Sequence, residues 1–242
     1  MKNILICTIA RNVGNKIPRY EAQLKDLIKE FGNEYNFKIS IYENDSTDNT
    51  KELLKNIDYS IFQDYSLQIE DIRTNYIGSV VSEERVMNLA KARNKAIFAK
   101  NSELLLWSDY ILFVESDIAF NPKDYRPILD FKSYGLDDID ILSGVSVADG
   151  NRVYDTWATR QNSSQTWGSI YNDPSKPIMP YYSTFNCVCL YKAEPFKQGV
   201  EFHWFNKTIN NFDCDTVVIC DEFRRKGYDK IFINERVYCF QE

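Results

Sequence analysis

No stretch of this chain stays apolar for long. None approaches the roughly 18 residues of a membrane-crossing helix, so no span is expected. The opening "MKNILICTIARN" has too short an apolar part for a secretion signal, and Arg-Asn stands where a small-residue cleavage site would fall. Basic runs are also missing. Lys and Arg number 29 against 35 Asp and Glu, for a net charge of −6. That balance argues against a nucleic-acid partner. It leaves room for a nucleotide, which needs only a few local cations or a metal. There is one histidine, His203, and no Cys-x-x-Cys. The six cysteines mostly sit inside apolar runs such as "FNCVCLY" and "VYCF". They are expected to be reduced, buried thiols in a cytoplasmic protein. Repeats, low-complexity tracts and linkers are all lacking, so residues 1–242 read as one domain.

What the chain does have is an alternating pattern. "ILICTIA", "FKISIYEND" and "YILFV" are apolar runs of the buried-strand type. Between them lie helical periods: Tyr20, Leu24, Leu27, Ile28 and Phe31 before Gly32, then a segment capped by Ser46 or Asp48, then one opening at Ser82. This β-α-β-α order predicts an α/β fold with a mostly parallel, Rossmann-like sheet covered by helices on both faces. The second half is less regular. "DIDILSGVSVA" and "TFNCVCLYKAEPF" read as strands, residues 149–182 as a long loop region and "DTVVICDEFRRKG" as an amphipathic helix stopped by Gly227. The terminal "DKIFINERVYCF" reads as one or two strands. Residues 1–120 form the expected nucleotide-binding half and 121–242 the acceptor half.

In an open parallel sheet, ligands lie beyond the carboxyl ends of the strands. Three polar clusters occupy such ends: Ala10-Arg11-Asn12, "YENDSTDNT" from Tyr42, and Glu115-Ser116-Asp117. Two carboxylates at a strand end are hard oxygen donors suited to Mg2+ or Mn2+, which keep open positions for phosphates. Glu43 or Asn44 can bond a base or ribose, and Ser46 and Asp48 can cap the next helix. Arg11 either faces the nucleotide with Asn12 or pairs with one of those acids. Arg85 and Arg93, on the helix before the triplet, are candidates for diphosphate or ribose contact. Aromatics are plentiful at 14%, with 16 Tyr; they can line a sugar site or fill a core.

Taken in order, strand-ARN, "YENDSTDNT", "R-x-x-x-LA-x-x-RN", "VESDIAF", "YDTWATR" and "DCDTVVICDEFRRKG" resemble the GT-A glycosyltransferases related to the cryptococcal capsule-associated mannosyltransferases. A chlorovirus capsid-modifying glycosyltransferase domain is similar as well. The resemblance covers nearly the whole chain. It implies a UDP- or GDP-sugar donor, a glycan acceptor, a divalent metal and retention at the transferred carbon. By position Asp117 is the metal ligand, and Glu115 is a metal, ribose or water-mediated partner, lengthened by one methylene from the usual Asp. Ala10, Arg11, Asn12, Glu43, Asn44, Arg85, Arg93 and Ser116 are assigned to the nucleotide and donor. Trp157 and Arg160 are assigned to the sugars, with Gln161 replacing the Asp usual after Arg160. Asp155 and Asp215 are assigned to catalysis, with Asp213 second to Asp215. His203 either completes a metal site or packs within "FHWF".

Two other readings compete. A nucleotidyltransferase would use a similar acid pair but wants a Gly-rich, cationic loop after the first strand, and "ARNVGNKIP" has one Gly. A non-catalytic nucleotide-sugar-binding module would tolerate loss of Glu115 and Asp117.

Overall fold

The computed structural model describes every residue except Gly150, Asn151, Pro174 and Glu242. Of the loop expected over 149–182, those at 150, 151 and 174 therefore lie outside the described residues.

The first half follows the alternation seen in sequence. Strand β1 is Lys2–Ala10, helix α1 Ile17–Phe31, β2 Tyr35–Asn44 and α2 Thr50–Lys55. Then come β3 at Tyr65–Glu70, α3 at Glu83–Ile97, α4 at Glu103–Trp107 and β4 at Tyr110–Val114. Ser82 caps α3, its hydroxyl accepting from the Arg85 amide. Strand β3 was not foreseen: "YSLQIE" is short and half polar, and it pairs only with β2 in this sheet. The chain continues through β5 (Ile118–Ala119), α5 (Arg126–Leu129), β6 (Ile141–Ala148), β7 (Arg152–Val153) and β8 (Ile178–Pro180). It ends with β9 (Val188–Lys192), α6 (Glu194–Lys197), the β10–β11 hairpin (Phe205–Asn206, Asn211–Phe212), α7 (Asp215–Arg225) and β12 (Ile231–Gln241). Gly227 follows α7 at φ 86°, a conformation a side chain would strain.

One ten-stranded sheet draws on both halves, in the order β3-β2-β1-β4-β9-β6-β12-β5, with β7 beside β6 and β8 beside β12. The pairs β1–β2, β2–β3, β1–β4 and β6–β12 are parallel. Strand β9 runs against both β4 and β6. The expectation of a mostly parallel sheet with helices on both faces is met. Alternate residues feed two cores: Ile4 and Ile6 pack with α1 and α2, whereas Leu5 and Cys7 pack with α3, α4 and α7. Burial of both faces explains why these strands read as unbroken apolar runs. All six cysteines are free and buried. Among the described residues no helix is long and apolar enough to cross a membrane.

Candidate functional site

Parallel pairing brings the three polar clusters to one rim. Ala10 lies opposite Glu43, and Cys7 opposite Phe113 one residue before the end of β4. The buried Ser116 hydroxyl donates to the Ile9 carbonyl at 3.0 Å, tying the acid turn to the end of β1. From that turn the chain crosses the rim to β5, which pairs with the far end of β12. Glu115 and Asp117 therefore sit where the two halves of the sheet meet.

The two acids are not equivalent. Asp117 makes no side-chain hydrogen bond or ion pair among the described residues; only its backbone carbonyl is engaged, accepting from Arg19 at 2.7 Å. Glu115 accepts from Arg93 Nη2 at 2.7 Å, and Arg93 Nη1 is paired with Asp215. Burial raises the Glu115 carboxyl to about 7, with Asp117 and Asp215 pushing the same way and Arg93 opposing. Arg93 itself is 5% exposed, with Phe113, Phe185 and Phe202 packed around its guanidinium at 5.5, 4.7 and 5.7 Å. It is a buried cation held between two carboxylates by its two Nη nitrogens, while its buried Nε has no hydrogen-bond partner among the described residues. Asp215 is 2% exposed and stands in the first turn of α7, where the helix dipole favours a negative charge. The N-cap itself is Cys214.

Asp155, outside the lining of the cleft described below, is held near this cluster by a neighbouring turn. Residues Asn186 and Cys187 both have positive φ, and the reversal they make serves both sides. The Asn186 amide donates to Asp155 at 2.9 Å, and the Cys187 carbonyl accepts from the Glu115 amide at 2.9 Å. Burial raises Asp155 to about 6; Asp215 adds to the rise, and Arg93 and Arg85 oppose it.

The loop after β1 is turned to structure. The amides of Asn12, Val13 and Gly14 donate to Ser46, Thr50 and Asp48 at 2.9, 2.8 and 2.9 Å. A side chain on Gly14 would meet the Asn49 amide oxygen at 2.0 Å. These N–H groups are spent on the start of α2 and cannot cradle a phosphate. Glu43 is fully buried, one oxygen accepting from the Ser46 amide at 2.8 Å and the other without a hydrogen-bond partner among the described residues.

Arg11 reaches the segment between β3 and α3. It donates to Thr74 Oγ1 at 2.9 Å, to the Thr74 carbonyl at 2.6 Å and to the Asn75 carbonyl at 3.2 Å. Of the two sequence alternatives, pairing with an acid is not seen; the guanidinium shapes this loop. Asp45 anchors the same loop, accepting from the Arg73 and Thr74 amides at 2.7 and 2.9 Å. Burial works against its charge, but these bonds with those from Thr74 Oγ1 and Asn44 hold its carboxyl well below the usual range.

A cleft opens between these parts. It is lined by Ile9, Ala10, Arg11 and Val13, by Asn44, by residues 75–79, by Arg85, Asn88, Leu89 and Ala92 of α3, by residues 115–117 and by Tyr154. Arg85 makes no side-chain hydrogen bond or ion pair among the described residues, so a free guanidinium and a free carboxylate face one space. Sequence reasoning missed Tyr154 and residues 75–79, which carry no periodic or charged signal.

Other assigned residues lie outside this lining. Arg160 is 4% exposed and forks onto Asp213 at 2.9 and 2.5 Å, with Nε donating to the Trp157 carbonyl at 3.2 Å. Trp157 is 9% exposed and stacks under Trp167. His203 belongs to no cluster of three or more His, Cys, Asp or Glu side chains able to hold an ion, and none exists among the described residues.

The topology and rim define the GT-A glycosyltransferase fold. Comparison with solved structures agrees. The chain matches Staphylococcus aureus TarS 1–349 in complex with UDP-GlcNAc at 17% identity and TM-score 0.55, over 99% of this chain and 58% of that one. It matches the mannosyltransferase PcManGT from Pyrobaculum calidifontis, in complex with GDP-Man and Mn2+, at 13% identity and TM-score 0.57, over 99% and 56%. A mycobacterial protein matches at 14% identity and TM-score 0.52, over 100% and 67%. The chain thus spans little more than half the length of the first two. No curated protein matches in sequence. Residues 3–220 match the family model described as Cryptococcal mannosyltransferase 1, and the chain belongs to that family.

Proposed function

We propose that this chain is a divalent-metal-dependent glycosyltransferase that moves a sugar from a UDP- or GDP-sugar to a glycan acceptor with retention. The observation that carries the reading is that the Asp117 carboxylate and the Arg85 guanidinium, neither with a side-chain partner among the described residues, line one cleft at the strand ends. Family membership supports the reaction class.

Two carboxylates fit a hard cation when a diphosphate and water supply the other oxygens. Asp117 would be the primary ligand, and Glu115 would supply the oxygen that Arg93 leaves free. When bound, the cation neutralises charge gathering on the leaving diphosphate. Arg85 contributes a second positive charge there. Arg93 is a positioning residue: it keeps Glu115 and Asp215 in fixed relation. Asp215 therefore acts through Arg93, a more limited part than the sequence assigned it. Arg11, Asn44 and the loop at 75–79 enclose the nucleoside. Asn12, Glu43 and Ser116 shape the backbone behind it. Asp155 faces the positive charge that develops at the sugar ring as the carbon–phosphate-oxygen bond breaks. The electron pair departs with the diphosphate. The acceptor oxygen forms the new bond, and its proton passes to the leaving phosphate oxygen.

The spent amides after β1 disfavour a nucleotidyltransferase, which would need them for phosphate. Thermal unfolding with Mn2+ and GDP or UDP tests the proposal. The expected result is an upward shift that needs both metal and nucleotide and disappears in Asp117→Ala. Absence of any shift in the unaltered chain, or an undiminished shift in Asp117→Ala, overturns it. The configuration of the product linkage, read by NMR, tests retention.

A further inference from the structure

The segment between β7 and β8 carries two exposed aromatic side chains, Trp167 at 53% and Tyr171 at 44%. Each rests on a buried aromatic partner. Trp167 stacks on Trp157 with ring centroids 5.8 Å apart at 29°, and Tyr171 meets Tyr181 edge-on at 5.0 Å and 65°. The backbone beneath them is fixed. The Gly168 amide donates to the Thr156 carbonyl at 2.9 Å, and a side chain at Gly168 would lie 1.9 Å from the Thr159 carbonyl oxygen. Glu235, itself buried, accepts from the Tyr171 and Asn172 amides at 2.7 and 2.6 Å. Rigid aromatic faces turned to water on a pinned loop are built for contact, since nothing in the fold needs them exposed.

The composition of the loop narrows the partner. Residues 161–172, "QNSSQTWGSIYN", contain no charged side chain, and their polar side chains are amides and hydroxyls. Charge would be wanted for a phosphate or an acidic surface, and a broader apolar area for a lipid. A loop of uncharged donors and acceptors that carries flat apolar faces matches a sugar ring, whose hydroxyls point outward from apolar C–H faces. The position matches as well. Trp157, under Trp167, belongs to the short turn that also carries Asp155 and the cleft residue Tyr154.

We infer that Trp167 is the platform on which the glycan acceptor's sugar ring stacks, with Tyr171 holding a further ring of the same acceptor. This rests on the glycosyltransferase reading and moves the sugar contact from Trp157 to the residue stacked above it.

The test uses the full chain with Mn2+ and a nucleotide sugar, and separates hydrolysis of the donor by water from transfer to saccharide. Mannotriose, cellotriose and chitotriose are the acceptor probes. In Trp167→Ala, donor hydrolysis and the nucleotide-dependent thermal shift stay unchanged, while the acceptor KM rises about ten-fold, the loss of one stacking contact. Trp167→Phe recovers most of it. The best probe quenches tryptophan fluorescence in the unaltered chain and not in Trp167→Ala. An unchanged acceptor KM overturns the inference, as does hydrolysis that falls in parallel or quenching by none of the probes. If the unaltered chain neither hydrolyses donor nor shifts with nucleotide, the glycosyltransferase reading fails, and saccharide quenching alone decides whether the platform binds sugar.

Discussion

Arg93 illustrates how much one side chain can determine here. Its guanidinium joins an acid from β4's end to an acid at the start of α7, 122 residues downstream of it. Removing one member of a buried ion cluster leaves an uncompensated charge. Arg93→Ala is therefore expected to lower unfolding free energy by about 3–5 kcal/mol, measured by urea titration. Sequence alone marked Arg93 as a candidate for diphosphate or ribose contact but not as a bridge between two acids. The partners lie at unrelated positions, so no local spacing encodes them. Glu115 and Asp117 were legible because an apolar run breaks abruptly at them. Trp157 and Arg160 were singled out by a motif, yet a motif does not tell which of its side chains turn inward.

Asp155 adds a pH dependence. Its folded value of about 6 exceeds the ordinary 3.8, so the native chain binds this proton more tightly than the unfolded chain does. Its contribution thus favours folding at low pH and is lost as pH rises through that window. Asp155→Asn cannot ionise. Its unfolding free energy should fall less than that of the unaltered chain between about pH 4 and pH 7, as denaturant titrations at several pH values would show.

At the scale of elements, the decisive contacts are close backbone approaches. Gly168 lies flush against the turn at 156–160, and an added methyl would have to displace a carbonyl. Gly168→Ala is expected to cost about 1–3 kcal/mol by thermal unfolding and to weaken saccharide quenching of Trp167. The strands β1, β2 and β4 and the helices α1, α3 and α7 were readable from periodicity, because each buries a consistent face. Strand β9 was readable as a strand but not in its reversed direction, which pairing partners settle and hydrophobicity does not. The loop at 71–82 gave no sequence signal. Its shape comes from Arg11, just after β1, and Asp45, just after β2, both distant in sequence.

Across the whole molecule, the alternation of strand and helix predicted the sheet and the rim where ligands would gather. The joining of the two halves was less visible. It depends on β9, which runs against β4, and on β12, which bridges β6 to the short β5 beyond the acid turn. That placement has a consequence in time. Strand β6 has no partner on its β12 side until residues 231–241 arrive, about ninety positions later. During synthesis the chain must carry an open sheet edge with Val145 and Val147 beside it, and the acid turn lacks its outer support. The order of emergence makes the last strand the closing step. Until it docks, the nascent chain exposes an unpaired strand edge of the kind that favours aggregation.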